Sequence, residues 1–103
     1  MKLISNNIHK IRSLCERFKV ARMYVFGSIL TPRFNEESDV DLLFSFEKEV
    51  TYHTYADLFF GLQGELEKLF GRRVDLVDEE GLKNKYFIRE VNQTRQLILG
   101  TEG

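Results

Sequence analysis

Phe26 to Phe46 reads FGSILTPRFNEESDVDLLFSF, and the fold turns on how this stretch is understood. Val40, Leu42, Phe44 and Phe46 alternate with Asp39, Asp41, Leu43 and Ser45. That period of two predicts a strand. Its head carries two aspartates, which burial alone does not explain. Residues i and i+2 of a strand face the same side, their Cα atoms roughly 7 Å apart, so Asp39 and Asp41 converge on one place. Upstream, Val20–Phe26 is rich in β-branched and aromatic residues and reads as a second strand. Gly27-Ser28 ends it, Pro32 limits any short helical turn that follows, and residues 33–38 are polar loop.

The flanking segments supply helices. Ile4, Ile8, Ile11, Cys15 and Phe18 recur at steps of four and three, one face of a helix that Ser5 or Asn6 would cap. Tyr55, Leu58, Phe59, Leu62, Leu66, Leu69 and Phe70 form a second stripe, with Gly71 placed to end it. Gly61 and Gly64 lie inside that stripe and are expected to mark close packing against the sheet. Arg73–Val77 is a third short strand and Leu82 to about Arg95 a last helix, with Gln96–Leu99 extending it or forming an edge strand. The order α-β-turn-β-α-β-α predicts an α/β (α+β) domain over residues 1–103, a small mixed sheet covered by helices.

Composition sets outer limits. At 103 residues, 43% hydrophobic and 30% charged, the chain has the make-up of one globular domain with a single core. A lone Cys15 cannot form an intramolecular disulfide, no apolar run approaches a membrane span, and the start lacks a signal-peptide pattern, so the cytoplasm is the expected compartment. A net charge of −1 argues against nucleic-acid binding by bulk electrostatics. The distribution is uneven: residues 1–33 hold seven Lys/Arg against one Glu, and residues 34–80 hold four against thirteen acids. An acidic centre between basic flanks suits a metal ion with a polyphosphate, with solvated surface charge as the competing reading.

Asp75 stands in the third strand between Val74 and Leu76 and joins Asp39 and Asp41 if the two strands are neighbours. Three crowded carboxylates repel and raise one another's pKa values, and a divalent cation removes that penalty. Oxygen ligands with open positions favour Mg2+. Gly27 lets the backbone approach a phosphate, and Ser28 offers a hydroxyl beside exposed N–H groups. No Walker loop or dinucleotide fingerprint is present. An aspartyl nucleophile of the haloacid-dehalogenase kind ends its strand, whereas these acids begin theirs. His9 and His53 are distant from each other and lack cysteine partners, so they suggest no zinc site. Cys15 belongs to the core stripe. Lys83, Lys85 and Arg89 read as a solvated helix face, and Tyr24, Tyr52, Tyr55 and Tyr86 as packing residues, a surface tyrosine being a possible self-modification acceptor.

Gly27-Ser28, then Asp39-Val40-Asp41, then a lone strand aspartate at Asp75, resembles the signature of the polymerase-β-type nucleotidyltransferase superfamily. The small size and the "SDVDLL" wording resemble its minimal nucleotidyltransferase (MNT) branch, whose members act as antitoxins to HEPN-domain ribonuclease toxins. The resemblance runs from the first helix to the strand bearing Asp75. It implies Mg2+-dependent transfer of AMP from ATP to a tyrosine of a HEPN toxin partner in a hetero-oligomer. Gly27 and Ser28 would hold the phosphates, Asp39 and Asp41 the metal ions, and Asp75, as third carboxylate, the acceptor. Many relatives continue the GS pair with a small residue, arginine and glycine. Here Ile29-Leu30-Thr31-Pro32 follows and Arg33 comes later, as a candidate phosphate contact or an ordinary exposed loop residue. An antitoxin that acts by binding alone, and a small-molecule nucleotidyltransferase resembling the aminoglycoside-modifying enzymes, are the alternatives.

Overall fold

A computed structural model of the chain describes residues 2–100; Met1 and residues 101–103, the ends of the expected domain, lie outside the described residues. Four strands form one mixed sheet in the order β3-β2-β1-β4: β1 (Val20–Phe26), β2 (Val40–Phe46), β3 (Val74–Asp78) and β4 (Gln96–Leu99). β2 and β4 pair antiparallel with β1, and β3 pairs parallel with β2. Parallel neighbours need a crossover, and the long helix α3 (Tyr52–Phe70) supplies it. The shorter helices are α1 (Lys2–Ser5), α2 (Ile8–Arg17) and α4 (Lys85–Thr94). The expected mixed sheet with helical cover is therefore present, and Gln96–Leu99 resolves as an edge strand.

The pleat sorts the strand residues into two layers. Met23 and Val25 of β1, Val40, Leu42 and Phe44 of β2, and Val74 and Leu76 of β3 face α2 and α3, where Ile11, Cys15, Leu62, Leu66 and Phe70 complete the main core. Each fully buried aliphatic or aromatic side chain contributes about 1.5–3 kcal/mol, so this layer dominates stability. Val20 joins the same core although it is three residues from Met23, because the ladder is irregular between Val20 and Arg22. On the opposite face, Tyr24, Phe26 and Leu43 pack under Val91 of α4. Glu79, just past β3, spans that face. It pairs with Arg22 of β1 at 2.7 Å and with Arg95 at 3.1 Å, and Arg95 lies over the Tyr24 ring at 4.1 Å.

Several local expectations are corrected. The first helical stripe is broken after Ser5, and α2 begins after Asn7 rather than at a Ser5 or Asn6 cap. Asn7 donates its side-chain amide to the Leu3 carbonyl at 2.8 Å, so it serves the preceding turn and makes no side-chain cap bond to α2. Gly61 packs against the Phe18 ring that follows α2, not against the sheet, and Gly64 faces open space. The last helix starts at Lys85 instead of Leu82, since the Asn84 side chain accepts from the Tyr86 and Phe87 N–H groups. Tyr52 and Tyr86 are 93% and 83% exposed and take no part in the core, whereas Tyr24 is buried. Gly71 ends α3 in the left-handed conformation as expected, with φ of 67°.

Candidate active site

β1 ends at Phe26, and the chain turns at once into a 3-10 helical turn, Gly27–Leu30. Gly27 has φ of +81°, a conformation that a side chain resists. A Cβ there would stand 2.2 Å from Asp41 Oδ2, so the missing side chain is what lets the Asp41 carboxylate lie against the backbone. The Ser28 N–H lies close enough to that carboxylate to favour its charged form. Gly27-Ser28 and Asp41 are thus one contact, built by the pairing of Phe26 with Asp41 across β1 and β2.

The third aspartate arrives from the other side. In the parallel β2–β3 ladder Asp41 is the register partner of Asp75, which puts both side chains on the face that α4 partly covers. Asp39, two residues before Asp41, shares that face. Asp75 is exposed, while Asp39 and Asp41 are half-buried. Burial, reinforced by the Asp75 and Asp39 charges, pushes the Asp41 carboxyl up to about 6 against the opposing pull of the Ser28 N–H. An apo site that resists full ionisation at this position favours a bound cation.

Oxygen donors alone make up this set, the chemistry that Mg2+ prefers. Among the described residues no three His, Cys, Asp or Glu side chains form a ready-made metal cage. Mg2+ is commonly held by only one or two carboxylates together with water and substrate phosphates. Asp39 and Asp41 fit such a role, with Asp75 beside them.

A cavity of about 400 Å³ borders Gly27-Ser28, and none of the three aspartates lines it. Gly27, Ser28, Thr31 and Arg33 form one wall, and Glu90, Thr94 and Gln96 another. Arg33 is exposed and makes no ion pair among the described residues, so its charge is available to this cavity. Sequence reading missed the α4 wall. Glu90 and Thr94 sit in a polar stretch with nothing to mark them, and only the packing of Val91 under the sheet reveals which helix face they occupy. A second cavity of about 430 Å³, lined by Arg22, Ser45, Lys48, Tyr55, Asp78 and others, lies at the opposite end of β2 and includes neither the three aspartates nor Gly27, Ser28 or Arg33. There Tyr55 donates to Asp78 at 2.5 Å, and burial together with Asp78 holds its phenol above the usual range. His9 and His53 are exposed, and Cys15 is buried in the core with its thiol pushed up to about 12 by burial. No helix among the described residues is long and apolar enough to cross a membrane.

Residues 9–98 match the family model described as nucleotidyltransferase domain. Over 86 residues the chain is 41% identical to the protein adenylyltransferase MntA of Thermococcus cleftensis, covering 81% of this chain and 82% of that protein. A chain from the crystal structure of a toxin–antitoxin with AMP-PNP superposes with a TM-score of 0.72 at 22% identity, covering 93% of this chain and 75% of that one. A chain from the complex of tri-AMPylated Shewanella oneidensis HEPN toxin with MNT antitoxin gives 0.66 at 21% identity, covering 94% and 72%. The two structural likenesses establish a shared fold, and the family match together with the identity to the curated relative does more: the chain belongs to the nucleotidyltransferase domain family.

Proposed function

We infer that this chain is a Mg2+-dependent protein adenylyltransferase that moves AMP from ATP to a tyrosine of a HEPN-type toxin and so neutralises it. The observation that carries the reading is the Gly27-Ser28 turn pressed onto Asp41, with Asp75 in register on the neighbouring strand. A relative 41% identical is named a protein adenylyltransferase, and a chain of the same fold stands in complex with an AMPylated HEPN toxin, which supports the choice of group and partner.

The division of labour follows from position. Ser28 and its neighbouring N–H groups bind phosphate oxygens, and Arg33 adds a cation from the cavity wall. Asp39 and Asp41 hold the metal ions. Mg2+ held by these two carboxylates would supply Lewis-acid chemistry, favouring ionisation of the attacking hydroxyl and offsetting charge on the departing oxygen. Asp75, exposed beside Asp41, faces the acceptor: it orients the tyrosine hydroxyl and takes its proton. The phenolic oxygen bonds to the α-phosphorus, the bond to pyrophosphate breaks, and pyrophosphate leaves with the electron pair.

The test is intact-mass analysis of a HEPN-domain partner incubated with this protein, ATP and Mg2+. The reading expects a gain of one or more AMP units. A partner inhibited without any mass gain would instead support an antitoxin acting by binding alone.

A further inference from the structure

Asp39 lies outside β2, at the end of a long loop, yet a metal ligand must be held still. We propose that Arg72 is the positioning residue for Asp39. Gly71 reverses the chain after α3 in its left-handed conformation and delivers Arg72 to the loop that precedes β2. One guanidinium nitrogen of Arg72 donates to the carbonyls of Asn35 at 2.8 Å and Ser38 at 2.9 Å. The same guanidinium lies over the Phe34 ring at 4.6 Å. The Ser38 carbonyl belongs to the peptide bond that leads into Asp39. On its other side, the Val40 N–H donates to the Arg73 carbonyl at 3.0 Å. Two consecutive residues, Arg72 and Arg73, therefore grip the backbone immediately before and after Asp39.

Within the loop, Asn35 and Ser38 close a turn through three bonds. The Asn35 N–H donates to Ser38 Oγ at 3.1 Å, the Ser38 N–H to the Asn35 carbonyl at 3.1 Å, and the Glu37 N–H to Asn35 Oδ1 at 2.8 Å. These bonds shape the turn but do not attach it to the rest of the molecule. Arg72 does that from the α3–β3 junction, linking the loop to the strand that carries Asp75. Its charge is spent on carbonyl oxygens; among the described residues it makes no ion pair with a carboxylate. Partners that orient a ligand in this indirect way typically cost about 10–100-fold in metal affinity when removed.

This inference rests on the metal-site reading above, and the experiment separates the two. Mn2+ is titrated into the protein saturated with a non-hydrolysable ATP analogue, with free Mn2+ followed by its paramagnetic resonance signal. Amide hydrogen exchange of Ser38 and Val40 is measured on the same samples. Arg72→Ala is expected to weaken Mn2+ binding about tenfold and to speed exchange at both amides. Phe34→Leu, which removes the ring platform only, should shift both readouts the same way by less. The two substitutions together should fall short of the product of their separate effects, since they act on one clamp. Should Arg72→Ala fail to fold by circular dichroism, Phe34→Leu carries the same test. Mn2+ affinity within twofold of wild type in folded variants, or unchanged exchange, would overturn the positioning role. A wild type that binds no Mn2+ would instead defeat the metal-site reading, with the exchange data still judging the clamp.

Discussion

Gly27→Ala is the substitution whose cost can be worked most directly from the structure. The new Cβ would meet Asp41 Oδ2 at 2.2 Å and Asp41 Cγ at 3.1 Å, on a backbone whose φ is +81°. Left-handed backbone costs a residue with a side chain about 1–2 kcal/mol. Swinging the carboxylate aside also takes it from the Ser28 N–H, an attraction worth at most the roughly 1.5–3 kcal/mol of a hydrogen bond to a charged group. A combined loss of about 3 kcal/mol lowers Tm by roughly 12–24 °C in a domain of this size. Repeating the substitution in an Asp41→Ala background isolates the clash, because only Asp41 Cβ, at 3.3 Å, then faces the new methyl group. In that background the cost should fall to the backbone strain alone, about 1–2 kcal/mol. Urea or thermal melts of the four proteins give the comparison. An equal cost in both backgrounds, or none in either, would refute the idea that Gly27 exists to admit Asp41.

Asp41→Asn should stabilise the metal-free protein by about 1–2 kcal/mol at pH 8 after allowance for solvent screening, and by almost nothing at pH 4. The sign follows from native Asp41 keeping its proton up to about pH 6 while the unfolded chain releases it near 3.8, so stability falls as pH rises through that window. Urea melts at the two pH values check it. Ser28→Ala should lower kcat/KM for ATP by about 10–100-fold with the melt unchanged, as expected for one lost bond to a charged phosphate. Gly64→Ala should raise stability by about 0.5–1 kcal/mol, since nothing faces the site and the residue is helical. Gly61→Ala should lower it, because the new Cβ would lie 2.6 Å from the Phe18 ring; paired thermal melts separate the two glycines.

The strand-bound parts of the site were legible because they are local. Alternation fixes the face of Asp39 and Asp41 without any knowledge of the partner strand, and a glycine after a strand marks where backbone is laid bare. Asp75 was legible only conditionally: its value depended on β3 lying parallel beside β2 in a register that pairs it with Asp41. Arg72 left no local signal, since its partners are backbone carbonyls more than thirty residues away. The α4 wall of the cavity was hidden for the same reason. Gly61 and Gly64 look alike in sequence, yet they face different surroundings, which periodicity cannot distinguish. Tyr52 and Tyr86 were assigned to packing from residue type, which says little for an amphipathic side chain near a helix start.

Calorimetric titration of a non-hydrolysable ATP analogue tests most directly whether Gly27-Ser28 and the aspartates form a metal–nucleotide site. On the proposed reading, Asp39 and Asp41 would repel the triphosphate in the absence of a cation, and Mg2+ held by them would offset that repulsion. Wild type should bind the analogue in Mg2+ and lose at least about tenfold in affinity in excess chelator, a change of about 1.4 kcal/mol. The variant carrying Asp39→Asn and Asp41→Asn should show the same weak binding whether Mg2+ is present or not. Equal affinity of the wild type with Mg2+ and with chelator would contradict the account.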